Sequence, residues 1–296
     1  MYRLPACWHK DYQSINITPR HNFTLKNATL FLLSFFTLYN SGVALTQTNN
    51  PFHLTTTKEV CLLGSGVLLM GSTYWYGQAK LNPISESTYF STYEKRYNNI
   101  PAFERFITKY RDKGAATLSD LALGGSVLLP AAFLIDKKSR SQWLPIGIMY
   151  AEAISITIGI TQWTKNISLR PRPYYFNNEI PLTERLGVEA RQSFFSGHTA
   201  TAAVACFFSA ALFQQLYPDS NYKPYVWAGA ATLPLAAVLG RIYSGNHFIT
   251  DVAVAYTVGA LVGVGVLELH RPKNRLTLLP IINEKSIGLY AAWSLR

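Results

Sequence analysis

The sequence predicts an all-α protein: a bundle of about six membrane helices with an N-terminal signal or anchor segment and a short C-terminal tail resembling a β-hairpin. Apolar residues make up 49% of the 296-residue chain and charged residues only 15%, against roughly 25% charged residues in an average soluble domain. Apolar stretches near bilayer-spanning length recur along the chain. Disorder is excluded because so apolar a chain can offset the entropy of folding by burial.

The first apolar stretch, residues 27–45, follows Arg3, Lys10, Arg20 and Lys26. Cations before an apolar segment and small residues after it are typical of a secretory signal or an N-terminal membrane anchor. The sequence does not decide between a cleaved and a retained segment.

Six further apolar stretches predict the bundle. They are residues 60–77, 121–135, 143–163, 199–217, 224–240 and 252–267. All contain Gly, Ala, Ser or Thr among larger apolar residues, which suits close helix packing in a membrane. A soluble bundle whose core helices are apolar all round is the alternative, but the length of several uncharged runs favours the membrane.

The remaining regions complete a division into four parts: the signal or anchor (1–50), a first helix with a connecting region (51–116), the core (117–270) and a basic tail (271–296). Within the connecting region, residues 100–113 are predicted to form an amphipathic helix lying on the membrane or over the bundle. The tail is predicted to form two short strands around a turn at 283–286.

The net charge of +11 comes from 27 Lys and Arg against 16 Asp and Glu. These cations form no run and no basic amphipathic helix, so nucleic acid is not the expected partner. Several lie beside histidines, which favours a phosphate-bearing small molecule or lipid. Cys7, Cys61 and Cys206 are an odd number of widely separated thiols, which excludes a disulfide scaffold and predicts no metal cluster.

Three short segments at helix ends carry candidate chemistry. They are Lys165 to Arg172-Pro173, Ser196-Gly197-His198, and Arg241 through His247 to Asp251. Lys and Arg side chains suit phosphate oxygens, and a helix N-terminus offers free N–H groups to an anion. The predicted phosphate-binding residues are therefore Lys165, Arg172, Ser196, Gly197 and Arg241.

Two histidines in these segments are candidates for the chemical steps of phosphoryl transfer. His198 is a candidate proton donor to a leaving oxygen. The i, i+4 spacing of His247 and Asp251 predicts that they share one helix face, where the carboxylate would orient the imidazole as a nucleophile.

Each segment alone has a simpler interpretation. Lys165, Arg170 and Arg172 fit cations that flank a membrane helix. Ser196 fits an N-cap, and the His247–Asp251 pair fits a structural contact. Their occurrence in this order, on loops separated by two helix crossings and hence on one face of the bundle, favours catalysis.

The patterns Lys-x6-Arg-Pro, Ser-Gly-His and Arg-x5-His-x3-Asp together resemble those of the type 2 phosphatidic acid phosphatase (PAP2) and vanadium haloperoxidase superfamily, over residues 118–269. The resemblance implies that His247 forms a phosphohistidine, that Asp251 orients it and that His198 is the general acid. It implies no metal ion and no other cofactor. Two positions depart from the usual pattern: Phe195 replaces a proline, which predicts altered loop rigidity, and Gly240 replaces a serine, which forfeits one hydroxyl contact to phosphate.

The sequence leaves four functions open. The favoured one is a membrane phosphatase acting on a lipid phosphate or diphosphate, with membrane lipids as its surroundings. The others are a soluble exported acid phosphatase of the same superfamily, a vanadate-dependent haloperoxidase, and a non-catalytic membrane protein. The complete set of charged residues argues against the last, and haloperoxidases of this type are generally longer chains.

The expected location is a bacterial inner membrane, which the chain crosses several times, with the active site facing the periplasm. Cations in the short loops opposite the three segments support this orientation by the positive-inside rule. These are Lys137, Lys138, Arg140, Lys223, Arg271, Lys273 and Arg275. The region 79–116, on the active side, opposes it with seven Lys and Arg of its own.

Overall fold

The all-α class is confirmed. The structure is a computed structural model. It describes residue 52, residues 54–271 and the backbone of 276–283 and 286–293. The predicted signal or anchor segment, residues 27–45, lies outside the described residues. In chain order the α-helices are α1 (Thr56–Lys80), α2 (Glu86–Asn98), α3 (Lys113–Leu128), α4 (Lys137–Arg140), α5 (Trp143–Ser168), α6 (Leu182–Leu186), α7 (Gly197–Leu216), α8 (Lys223–Thr232), α9 (Pro234–Tyr243) and α10 (Ile249–Leu269). The predicted hairpin is present, because β1 (Leu276–Asn283) and β2 (Ser286–Trp293) pair in antiparallel register.

Five helical segments among the described residues are long and apolar enough to cross a bilayer. They are Lys113–Leu134, Trp143–Phe176, Gly197–Leu216, Lys223–Tyr243 and Ile249–Leu269. The predicted stretch 60–77 lies within α1, which is not one of these five segments. The second half of α1 is rich in Gly, Ser, Thr and Tyr and is therefore less apolar than the five segments. Large apolar side chains remain exposed on the surface of the bundle, including Leu121, Leu128, Trp143, Leu239 and Leu261. Such a surface requires an apolar surrounding, so the chain is a membrane protein.

Helix α7 forms the centre of the bundle. It packs against α3, α5, α8, α9 and α10, and most of its residues are buried. Ala200 and Ala203 are fully buried in α7; side chains this small let neighbouring helices approach closely. This packing fixes the positions of the helix ends that carry the three predicted segments.

The region before α3 differs from the prediction. Residues 100–113 do not form one amphipathic α-helix: a 3₁₀ helix covers Ala102–Lys109, and α3 begins at Lys113. The chain turns between them because the Asp112 side chain accepts a hydrogen bond from the backbone N–H of Ala115 and caps α3. Glu104 and Ile107 are fully buried, so this 3₁₀ helix packs over the bundle.

Gly240 lies where α9 crosses α3 so closely that a side chain has no room. A Cβ at this position would lie 2.6 Å from the carbonyl oxygen of Ala115 and 2.8 Å from the Cβ of Ser119. We expect Gly240→Ala to lower the free energy of unfolding by about 1–3 kcal/mol through overpacking. Gly229→Ala is the matched control, because a Cβ at Gly229 in α8 meets nothing within 4 Å. Thermal unfolding in detergent measures both, and equal midpoints would contradict the prediction.

Candidate active site

The three predicted segments meet at one end of the bundle. They lie at the C-terminus of α5, the N-terminus of α7, and the junction of α9 with α10. Lys165 is in the last turn of α5, and the next residue after the helix, Leu169, has a left-handed conformation with φ 43°. The Nζ of Lys165 lies 3.6 Å from the place that a Cβ would take on Gly197, at the start of α7. The first and second segments are therefore in contact.

Arg172 and Arg241 complete a group of three cations with Lys165, here called the cation cluster. Both arginines interact electrostatically with Lys165. The Nε atoms of Arg172 and Arg241 are buried and have no hydrogen-bond partner among the described residues, although an Nη of Arg172 donates to the side chain of Asn246 at 3.2 Å. Three mutually repelling cations, of which the two arginines each have an unpaired N–H group, form a site complementary to an anion with several oxygens.

His247 lies beside the cation cluster and is 1% exposed. Its Nδ1 is 2.7 Å from the backbone carbonyl of Ser193. A carbonyl oxygen only accepts, so Nδ1 carries the proton, and Nε2 of the neutral ring carries the lone pair. This tautomer is the one that a nucleophilic Nε2 requires.

The expected pairing of Asp251 with His247 takes a different form. The two residues do not share a helix face, because α10 begins at Ile249 and His247 precedes it. The Asp251 carboxylate is 3.8 Å from Nδ1 of His247, beyond hydrogen-bond distance. It accepts instead from the Ser193 hydroxyl at 2.5 Å and the Phe248 backbone N–H at 2.9 Å. Asp251 thus positions His247 through Ser193, a residue that the sequence analysis did not single out.

Arg170 is the second residue that the sequence analysis missed, because it looked like an ordinary cation beside a membrane helix. Its guanidinium donates to Asp251 and Thr250, pairs with the fully buried Glu104 and lies over the Phe248 ring, 4.7 Å from its centroid. The partners are 66 to 81 residues away in the chain, so no local pattern reveals the network. The repeated Arg-Pro at 170–173 was the one available signal.

His198 is the second residue of α7 and points to the open side of the site. Its Nε2 lies 2.9 Å from Oδ1 of Asp120 in α3. The same Asp120 oxygen is 3.9 Å from an Nη of Arg241, and the Asp120 side chain is 63% exposed. A carboxylate at the mouth of the site therefore contacts one predicted phosphate-binding residue and the predicted general acid. Asp120 was not found from the sequence because it carries no motif.

Ser196 is the N-cap of α7, which agrees with the structural role that the sequence also allowed for it. Its hydroxyl accepts from the backbone N–H of Thr199 at 3.4 Å, and it is fully buried. Gly197 follows as the first residue of the helix. The predicted anion-binding role of both residues stays a prediction.

The sequence and the structure were compared with those of known proteins and protein families. Residues 146–275 match the family model of the PAP2 superfamily. A solved structure, a transmembrane PAP2-type phosphatidylglycerolphosphate phosphatase from Bacillus subtilis, is similar with 21% identity and a TM-score of 0.39, covering 71% of this chain and 94% of that one. The comparison with curated proteins found no significant match.

The two departures from the usual PAP2 pattern have structural explanations. Phe195 is 3% exposed and packs against Ala200 and Ala255, so this part of the loop is held by apolar contacts. Gly240 is required by the close approach of α3 described above, so a serine hydroxyl at this position is incompatible with the packing.

The burial of His247 has a consequence for stability. Burial lowers its pKa from 6.5 to about 3, the cations Arg172 and Lys165 add to this effect, and Asp251 opposes it. As the pH falls below about 6.5 the unfolded chain binds a proton here and the folded chain does not. We therefore expect stability to decrease between about pH 6.5 and pH 3, by about 1 kcal/mol per pH unit from this group.

Thermal unfolding of the wild type and of His247→Gln between pH 5 and 7 tests this expectation. The wild-type midpoint should fall more steeply with decreasing pH, because the glutamine binds no proton. Parallel curves would show that His247 titrates alike in both states.

Proposed function

We propose that the protein is a phosphatase that hydrolyses a phosphomonoester or diphosphate of a membrane lipid through a phosphohistidine on His247. The match of residues 146–275 to the PAP2 superfamily model supports a phosphatase of this kind. The single observation that carries the proposal is the convergence of the cation cluster with the Nδ1-protonated imidazole of His247. Such a site can bind a phosphoryl group and attack it.

The proposed reaction has two steps. Lys165, Arg172 and Arg241 hold the phosphate oxygens, and Nε2 of His247 attacks phosphorus while the bond to the leaving oxygen breaks. His198 gives its proton to that oxygen and then takes one from the water that attacks the phosphohistidine. Phosphate leaves and His247 returns to its neutral form. Asp120 contacts both His198 and Arg241, so a phosphate that reaches them displaces this carboxylate.

Activity of the purified protein across a panel of lipid phosphates and diphosphates tests the function. Burying the chains of the substrate among the exposed apolar side chains contributes about 0.8 kcal/mol per CH₂. We therefore expect long-chain phosphates to be hydrolysed with a much higher kcat/KM than soluble esters. Equal activity on soluble phosphate esters would favour the exported acid phosphatase instead. Halide oxidation with vanadate and no phosphatase activity would favour the haloperoxidase.

Turnover is expected to be independent of a metal ion and inhibited by vanadate. The cation cluster supplies the positive charge that a metal ion would otherwise provide to the developing oxyanion, and vanadate imitates the five-coordinate phosphorus. Initial rates with and without EDTA, at a temperature where the protein stays folded, measure the first part. Loss of activity that Mg²⁺ restores would contradict it.

We further propose that the active site faces the periplasm of a bacterial inner membrane. The described cations Lys137, Lys138, Arg140, Lys223 and Arg271 lie at the end of the bundle opposite the candidate site, consistent with a cytoplasmic location. A single reporter Cys at position 140 or 183, after replacement of Cys7, Cys61 and Cys206, tests this. A membrane-impermeant thiol reagent on intact spheroplasts should label position 183 and spare 140, and the reverse would place the site in the cytoplasm.

A further inference from the structure

A second cluster of ionisable side chains lies at the other end of the bundle. Glu59, Glu152 and His270 are all buried, and each offers a ligand atom within 4.8 Å of the others. They come from the first turn of α1, the middle of α5 and the residue after α10. Glu152 precedes Lys165 by 13 residues of continuous helix, which places the Glu–Glu–His cluster about 20 Å from the candidate phosphate site.

The tautomer of His270 turns a lone pair toward the two carboxylates. Its Nδ1 is 2.7 Å from the backbone carbonyl of Val266, so Nδ1 carries the proton. Nε2 lies 2.8 Å from an oxygen of Glu59 and 3.3 Å from an oxygen of Glu152. With a neutral ring, three acceptor atoms face one another, an arrangement that needs a positive charge between them.

Glu152 supplies the second observation. It is fully buried, and neither of its carboxylate oxygens has a hydrogen-bond partner among the described residues. A buried carboxylate without hydrogen bonds is strongly unfavourable unless a cation compensates it. Lys58 is 3.9 Å from the other oxygen of Glu59, donates to the Leu269 carbonyl and attracts Glu152 electrostatically, but it supplies one positive charge against two carboxylates.

We propose that Glu59, Glu152 and His270 bind a divalent transition-metal ion of the Zn²⁺ class. Tetrahedral zinc with nitrogen and oxygen ligands places them about 3.3–3.4 Å apart, which matches the Nε2–Glu152 distance and needs only a small opening of the Glu59 contact. The imidazole favours Zn²⁺ over Mg²⁺ or Ca²⁺. The Nδ1–H to carbonyl hydrogen bond is the outer contact that metal-binding histidines make, and two carboxylates neutralise a divalent charge.

The proposed ion would link α1 to the helices at the core of the bundle. Glu59 is on α1, whereas Glu152 is on α5 and His270 directly follows α10, the two helices that flank α7. The inference is independent of the proposed phosphatase activity, because the two sites are far apart and share no residue.

Metal titration of the tag-free, full-length protein in detergent tests the proposal. After removal of bound metal with a chelator, we expect one equivalent of Co²⁺ to bind and give the visible absorption of a tetrahedral site, and Zn²⁺ to displace it. Glu152→Gln and His270→Gln should weaken binding at least tenfold, since even the loss of an outer contact costs 10–100-fold. Zn²⁺ should raise the unfolding midpoint of the wild type but not of these variants.

Glu268→Gln is the matched control, because Glu268 is an acidic residue at the same end of α10 that pairs with Arg271 on the surface. It should bind Co²⁺ as the wild type does. Glu152→Gln removes a buried charge, so it is expected to fold without metal. Wild-type protein that takes up no stoichiometric Co²⁺, or variants that bind it with unchanged affinity, would overturn the proposal and leave protons as the compensating charges. Phosphatase activity, measured separately, does not enter this readout.

Discussion

His247→Gln is expected to abolish turnover, lowering kcat/KM by at least about 10⁴-fold. The described side chains of the cation cluster are Lys165, Arg172 and Arg241, which are proposed to hold the phosphate oxygens rather than accept the phosphoryl group. Glutamine fills a similar volume and retains an N–H donor for the Ser193 carbonyl, so the fold should survive. Rapid quenching of the wild type in base after mixing with ³²P-labelled substrate should trap a base-stable, acid-labile phosphoprotein, and the variant should show none.

His198→Asn provides the contrast. It removes the proposed proton donor and keeps His247, so its loss of rate should depend on the leaving group. We expect a 10²–10⁴-fold loss with an alkyl phosphate and a much smaller loss with a nitrophenyl phosphate, whose leaving oxygen needs no proton. Undiminished hydrolysis by His247→Gln, or a labelled phosphoprotein in that variant, would contradict the phosphohistidine assignment.

Asp251→Asn is expected to impair both the stability and the activity of the protein. The carboxylate pairs with Arg170 and accepts from Ser193 and Phe248; it is fully buried. Replacing it with an amide leaves Glu104 as the one carboxylate that pairs with Arg170 among the described residues, which is expected to cost about 3 kcal/mol of unfolding free energy. The loss in kcat should be about 10²–10³-fold, less than for a carboxylate bonded directly to the catalytic imidazole, because the nearer contact to His247 is the Ser193 carbonyl.

Asp219→Asn is the matched control, since Asp219 is an exposed residue of a surface turn. It should change neither unfolding nor kcat. Ser193→Ala distinguishes positioning from a purely structural role, because it keeps the carbonyl that holds His247 and removes only the hydroxyl that binds Asp251. We expect it to lower kcat modestly while KM stays unchanged. Wild-type stability and kcat in Asp251→Asn would show that the network around Arg170 does not position His247.

The sequence by itself determined the class of the fold and the candidate site residues. Apolar stretches separated by charged loops predict membrane helices because a bilayer core requires some 20 apolar residues, and the described helices follow these stretches. Lys165, Arg172, Arg241 and His247 could be singled out because phosphate binding and phosphoryl transfer require those residue types at helix ends. The structure brings them together as predicted.

Tertiary structure alone decided which groups support them. The hydrogen bond of His247 Nδ1 goes to the Ser193 carbonyl rather than to Asp251, and His247 precedes the first residue of α10. Glu104 joins Arg170 because a 3₁₀ helix packs over the bundle. Glu59, Glu152 and His270 meet only because α1, α5 and α10 come together at one end of the bundle. Helix packing brings distant segments into contact, and the side chains that meet there are separated by too much chain to form a motif.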